Sequence, residues 1–530
     1  MLSVLEILPQ GTLVVFFGFL IFFGIIYWVY RTSEYFSKKR FFQLMAALII
    51  IELTVITLLF VSRKTYQDKT RLAILPFQDF SLNEKEKWIS WAIADLVEQS
   101  IPQDSTCSYF FYRNDQIRKI VNFDSIGFSE YRNRFSSALK LDFYLSASIK
   151  KQATEFQLEY KIFNVNEGQI YSKIINFKEI DIISSLGLNI AREYLQKVLK
   201  KNDQKLQKNN DITESSLQKY FIAKRYLFNN KFDSSEINLK QSLEDDSKNI
   251  EAWISLSDLL LREANLEKNE GKIAPIVLDE TEKGLKSARK LDSSNVQIYQ
   301  KLAKFYILKE KWDLAQKNLQ KAHWLNPASP ETYLYFSQLH PSRYRSLGFQ
   351  DEEELLKYAL FLNPGYVDAA ISLSKYYTDY LQDNRSAIEV VENIIAINSE
   401  QIDALMELGK LYISYNQTIK IIHIFEKIIQ KDPMNSSAFY NLGIYYYNLK
   451  DLDNALKLFE RAVKIDDHPD AHLYAAYIYE MMSSAEKDSA QRQNYLDKAI
   501  THLRYRVKHN RGKDDPYAET ARKHLYEIFH

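Results

Sequence analysis

Cysteine is nearly absent from this chain: Cys107 is the only one in 530 residues. A lone cysteine excludes an internal disulfide and a cysteine-based metal centre. Glycine is scarce as well, with 13 residues against 36 tyrosines and 31 phenylalanines. That balance suits packed helices better than flexible chain. No charge of one sign dominates. Lys and Arg number 69 and Asp and Glu 68, for a net charge of +1, so no overall field draws the chain to nucleic acid or to an acidic surface. The sequence marks of catalysis are missing too. There is no Walker loop, no GxGxxG, no GxSxG and no HExxH. The phosphate-cradling, nucleophile-elbow and zinc-protease chemistries that those motifs support therefore have no recognisable site.

Long apolar runs are present near the amino terminus. Leu13 to Tyr30 and Phe41 to Val61 are each almost wholly apolar, near the ~20 residues that span a bilayer as a helix. No Lys or Arg precedes Arg31, so the first run lacks the basic start of a signal peptide. The reading is two transmembrane helices within residues 12–62, in contact with the lipid bilayer. Arg31, Lys38, Lys39 and Arg40 in the connecting loop favour a cytoplasmic loop, with the larger domains on the exported side. A multi-pass protein of the inner (cytoplasmic) membrane is the expectation.

Residues 71–200 read as a small α/β domain. Arg71 to Phe77 is a short strand ended by Pro76, and Trp88, Trp91, Ile93, Leu96 and Val97 have helical spacing. Ser108 to Tyr112 is a second strand. From Asp142 the period becomes two: Leu145, Ala147 and Ile149, then Phe156, Leu158, Tyr160 and Ile162. Asn166, Glu167 and Gly168 make a turn, Ile170 to Phe177 returns as a strand, and Ile182 to Leu199 is a helix. The opening LAILPF, the helix with Trp91 and Leu96, the LDFYLSASI strand and the EFQLEYKIFNVNEGQIY hairpin resemble the TolB amino-terminal-like domain. Ala147 and Tyr171 stand where that family usually has Gly and Trp. The resemblance implies a bacterial, membrane-linked protein of envelope assembly or signalling, and it carries no catalytic motif. Residues 201–213 are a polar linker.

The remainder, 214–530, is repetitive. In Ser436 to Asp467, Phe439, Leu442, Gly443 and Tyr446 share one helical face, and Ala455, Phe459 and Ala462 share another. Repeat exits fall at Asp292, Asn326, Asn363, Asn398, Asp432 and Asp466, spaced by 34, 37, 35, 34 and 34 residues. This resembles the tetratricopeptide (TPR) repeat, whose period is about 34. About eight repeats and a capping helix are expected, the fourth irregular at Pro341. The predicted fold class is mostly α: two transmembrane helices, the α/β domain, then an α-α TPR solenoid.

The resemblance implies that the first helix of each repeat lines a concave groove. The residue after the small one then points inward, giving Lys224, Asp258, Lys304, Gln338, Lys375, Lys410, Ile444 and Tyr477. Tyr220, Gln297, Gln300, Asp368, Met406, Tyr440 and Tyr447 take other inward positions. The expected partners are proteins, a peptide or domain of acidic character, with lysines as point charges and tyrosines as anchors. No nucleic-acid partner, cofactor or catalytic residue is expected. His468 and His472 lie four apart near Asp466, Asp467 and Asp470, but polar residues belong at a repeat exit, and no metal site is assigned. Arg504, Arg506, Lys508, Arg511 and Lys513 read as a solvated helix face. The chain reads as a membrane-anchored scaffold. The alternatives are a ligand-sensing regulator acting through the α/β domain and an enzyme with no recognisable site.

Overall fold

The computed structural model describes residues 69–102, 109–112, 117, 139–178, 183–199, 212–229, 231–269, 275–414, 418–509 and 515–529. The first unit holds β1 (Thr70–Ile74), β2 (Gln78–Asp79), α1 (Trp88–Ser100), β3 (Tyr109–Tyr112), β4 (Phe143–Gln152), β5 (Glu155–Asn164), β6 (Gly168–Phe177) and α2 (Ile183–Leu199). The sheet order is β3-β1-β4-β5-β6, with β2 beside β4. β1 runs parallel to β3 and β4, and β4, β5 and β6 form an antiparallel meander. Leu72, Ala73 and Ile74 are wholly buried, as a central parallel strand covered on both faces must be. Gly168 opens β6 at φ +87°, a left-handed conformation that glycine adopts without a Cβ clash. α1 and α2 cover one face of the sheet. They approach closely at Gly187, where an added Cβ would lie 2.7 Å from the Leu96 Cβ. The Tyr194 hydroxyl ties α2 to the sheet through the carbonyls of Ala73 (3.1 Å) and Phe143 (3.2 Å).

The array follows as helix pairs: α3 (Glu214–Phe228) with α4 (Phe232–Asp245), α5 (Ile250–Asn269) with α6 (Pro275–Leu291), and α7 (Val296–Leu308) with α8 (Trp312–Leu325). Next come α9 (Pro330–Ser337) with α10 (Glu352–Leu362), α11 (Val367–Tyr376) with α12 (Asn384–Ile397), and α13 (Ile402–Ser414) with α14 (Thr418–Lys431). α15 (Ser436–Asn448) with α16 (Leu452–Asp466), and α17 (Pro469–Ala485) with α18 (Ser489–Lys508), complete eight pairs among the described residues, and α19 (Pro516–Phe529) packs on the last.

The acidic and amide residues at the repeat exits have a shared task. Asp292, Asn326, Asn363, Asn398 and Asp432 each accept a hydrogen bond at Oδ1 from the backbone N–H two residues on, at 2.7–3.2 Å. These Asx turns reverse the chain between repeats and satisfy an orphan donor. Tyrosines couple successive pairs: Tyr377 donates to Glu353 (2.9 Å), Tyr412 to Glu392 (2.6 Å) and Tyr479 to Glu460 (2.7 Å). The unequal repeat lengths are also accounted for. The three extra residues between Asn326 and Asn363 sit in two 3-10 turns, Pro341–Arg343 and Arg345–Leu347. The one extra before Asn398 widens the end of α11 into a π turn, Tyr377–Leu381.

The expected fold class is corrected in one respect. Among the described residues no helix is long and apolar enough to cross a membrane. The longest ones, α5 and α18, carry charged residues within any stretch long enough to span, Glu251, Asp258, Arg262 and Glu263 in α5 and Arg492, Asp497, Lys498, Arg504 and Arg506 in α18. The two expected spans, residues 12–62, lie outside the described residues, and the multi-pass membrane placement is withdrawn with them.

Candidate protein-binding groove

The smallest residue of a first helix fixes which way its neighbours point. A Cβ added to Gly409 would lie 2.5 Å from the Phe425 ring, and one added to Gly443 would lie 2.7 Å from the Phe459 ring. Glycine therefore faces the second helix of its own repeat. One residue on, the helix has turned by about 100°, which carries Lys410 and Ile444 off that contact.

The row of inward positions is not uniform. Lys224 is ion-paired with Asp95 of α1. Lys304 and Lys301 both hold Asp258, at 3.1 and 2.8 Å. Burial works to raise the Asp258 carboxyl, but the two ammonium groups outweigh it and hold it well below the usual carboxylate range. Lys375, Asp368 and Gln338 are exposed, and so is Lys410, which lies 3.5 Å from Glu407. Gln300 is buried and donates to Ser329 Oγ (2.7 Å) and Thr332 Oγ1 (2.9 Å), so it joins α7 to α9. Gln297 sits in the first turn of α7, its N–H capped by Asn295. Met406 is half-buried against the central core.

The chain's own α/β unit covers one end of this row. Tyr220 is 2% exposed, and its phenol is pushed up by burial. Beside it, Lys224 reaches Asp95, Arg225 donates to Glu84 (3.0 Å), and Trp91 packs edge-on against Phe228 at 5.4 Å. One apolar cluster runs from α1 and α2 through Phe221 into Leu256 and Leu260 of α5. The opposite face of the sheet, at Ala73, Leu75, Tyr112 and Tyr144, shares a cluster with Tyr335 and Phe336 of α9, and the Arg71 guanidinium lies 5.9 Å from the Phe361 ring.

The other end is open and aromatic. Tyr474 packs edge-on against Tyr440 (6.0 Å), Tyr447 (5.3 Å) and Tyr477 (5.8 Å). Tyr440 also stacks on His468 at 4.6 Å. These rings stand on α15 and α17, and Tyr447 and Tyr477 border an open pocket of about 720 Å³.

The charged features of the last repeat are structural. Arg506 is fully buried, where the sequence suggests a solvated face. It bonds Asp470 at 3.1 Å, Asp515 at 2.9 Å and the His509 carbonyl at 3.1 Å. Asp515 in turn caps α19 by accepting from Tyr517 and Ala518. A run of basic residues on a polar helix gives no sign of this, because both carboxylates come from other elements. His468 caps α17, accepting from Ala471 N–H. His472 meets His502 through their Nδ1 atoms at 2.8 Å and stacks on Tyr505. Among the described residues no group of three or more His, Cys, Asp or Glu side chains is placed to hold a metal.

The fold is that of a helical-repeat solenoid carrying an α/β domain. Residues 436–469 match the tetratricopeptide repeat model. A TPR repeat-containing protein of Methanocaldococcus jannaschii is 24% identical over 296 residues, which is 50% of this chain and 46% of that protein. The chain thus spans about half the length of that relative. Solved structures that resemble it include MamA (20% identity, 32% of this chain and 96% of that chain, TM-score 0.26). The human IFIT1 dimer with PPP-AAAA is 17% identical over 65% of this chain and 80% of that chain, with a TM-score of 0.43. Residues 436–469 are thus a tetratricopeptide repeat by their match, and the array is similar to that of a TPR repeat-containing protein.

Proposed function

We propose that the chain is a non-enzymatic scaffold that holds a protein segment along the first-helix face of repeats five to eight. One observation carries this reading. Among the described residues the same helical positions are filled by the chain's own α/β unit at Tyr220 and Lys224, and are exposed or half-buried at Lys375, Lys410 and Tyr447. A solenoid buries its core between neighbouring repeats, so a clear inner face with charges and rings is available for binding. Lys375 and Lys410 supply point charges for carboxylates of the segment, and the tyrosines supply rigid apolar area with a polar tip. Lys224 and Lys304 leave the partner row, because Asp95 and Asp258 already engage them.

The TolB-like α/β unit is read as an interaction module of the same kind, which binds its own array. The cavity between α1, α2 and α3, lined by Trp88, Leu96, Ile183 and Phe221, is about 160 Å³, below the ~300 Å³ at which small-molecule sites begin, so this cavity does not support the ligand-sensing alternative. The test is partner capture by the full chain in its native setting. Lys375→Glu with Lys410→Glu should abolish capture at low salt and leave helicity and melting unchanged. Capture that is equal in the double variant sinks the charge part of the reading.

A further inference from the structure

The pocket at the open end has a chemistry of its own. Tyr447 of α15, Tyr477, Glu480 and Met481 of α17, and His524 of α19 line it. The Tyr477 and His524 rings lie 4.7 Å apart. Glu480 is the acid of the pocket, and no Lys or Arg stands among the lining residues. Its Oε2 is 2.8 Å from His524 Nδ1, and its Oε1 is buried under the pocket wall with no hydrogen-bond partner among the described residues, so a ligand reaches it only by a small turn of the Glu480 side chain. Burial, Tyr474 and Glu480 push the Tyr477 phenol up to about 12, and its neutral ring presents a negative π face. A cation already uses this surface: Lys450 Nζ lies 5.7 Å from the Tyr447 ring centroid.

A carboxylate with an unfilled acceptor, set between aromatic faces, repels an anion and attracts a cation. A guanidinium fits better than an ammonium. It is flat, so it stacks on a ring while its edge donates to the carboxylate, and it is more weakly hydrated. We propose that this pocket takes an arginine side chain of the protein segment held in the groove. The inference rests on the groove reading above and adds a basic anchor at the carboxyl-terminal end of a site whose middle carries Lys375 and Lys410.

The experiment selects from a randomised peptide library on the full chain and remakes the selected peptides with citrulline for arginine. Citrulline keeps the shape and removes the charge. Arginine should be enriched at one position, and its replacement by citrulline should weaken binding by about tenfold, the scale of one desolvated cation–aromatic contact. Glu480→Gln should weaken the arginine peptide to a similar degree and leave the citrulline peptide unchanged, with the melting temperature unaltered. If peptides bind in the groove but lack arginine, prefer lysine, or bind equally well as citrulline forms, the arginine pocket is wrong and the groove reading stands. A selection that yields no groove-bound peptide overturns both. The citrulline comparison uses the unaltered chain, so the outcome does not depend on how Glu480→Gln folds.

Discussion

The two ends of the array set the same helical positions in different surroundings. At the amino-terminal end the inner face is a packing surface: Tyr220 is buried, Lys224 holds Asp95, and Arg225 holds Glu84. At the carboxyl-terminal end the proposed reading makes it a recognition surface, where Tyr440, Tyr447 and Tyr477 gather around Tyr474. A repeat register states which residues point inward. It does not state what they meet there, because that depends on a domain encoded more than a hundred residues away.

Substitutions at chosen positions separate these two roles. Arg506 should give the greatest loss. Arg506→Met removes the buried guanidinium that Asp470 and Asp515 share, and breaking such a group costs about 3–5 kcal/mol. Denaturant unfolding should show an early transition of α17, α18 and α19, with the amino-terminal end unaffected. Gly443→Leu comes next. Its side chain must displace the Phe459 ring, at a cost on the order of 1–3 kcal/mol or more. An unchanged melting temperature would show that the repeat register is wrong.

A pH effect of similar size belongs to the same end. His472 is held neutral, its pKa pushed down to about 3 by burial and by the neighbouring His502. Glu460, Asp467, His468, Tyr505 and His509 also surround the pair. An unfolded imidazole titrates near 6.5, so below that pH protons bind the unfolded chain preferentially. Stability from this site is complete above about pH 6.5 and declines as pH falls towards 3, by at most about 1.4 kcal/mol per unit. His472→Asn should flatten that decline in a melting series.

Much of the fold was legible in residues with one dominant constraint. Gly443 and Phe459 disclose a close helix contact, the Asp and Asn exits disclose turns, and the alternation from Leu145 to Ile162 discloses paired strands. The tyrosine–glutamate bonds between repeats were not legible, since Glu353, Glu392 and Glu460 look like any surface acids on a helix. The burial of Arg506 is hidden for the same reason. Lys224 could be placed on the inner face, but Asp95 lies on a helix whose apolar spacing gives no hint of an acid turned towards the array. The expected spans at 12–62 follow from apolar length alone and concern a part of the chain outside the described residues.

A milder substitution separates the two ends most cleanly. Asp95→Asn should weaken the hold of α1 on α3 and raise backbone hydrogen exchange around Tyr220, with exchange around Tyr440 unaltered. Equal changes at both ends would mean that the α/β unit and the open end are one cooperative surface.

On the proposed reading the chain itself fills one end of the groove and leaves the other for a partner. A photocrosslinking phenylalanine analogue placed at Tyr220 or at Tyr440 of the full chain tests this division directly, with a labelled groove-binding peptide as the probe. Position 440 should crosslink to the peptide, and position 220 should crosslink to α1 of the same chain. Labelling of the peptide from position 220 at the level seen from 440 would contradict it.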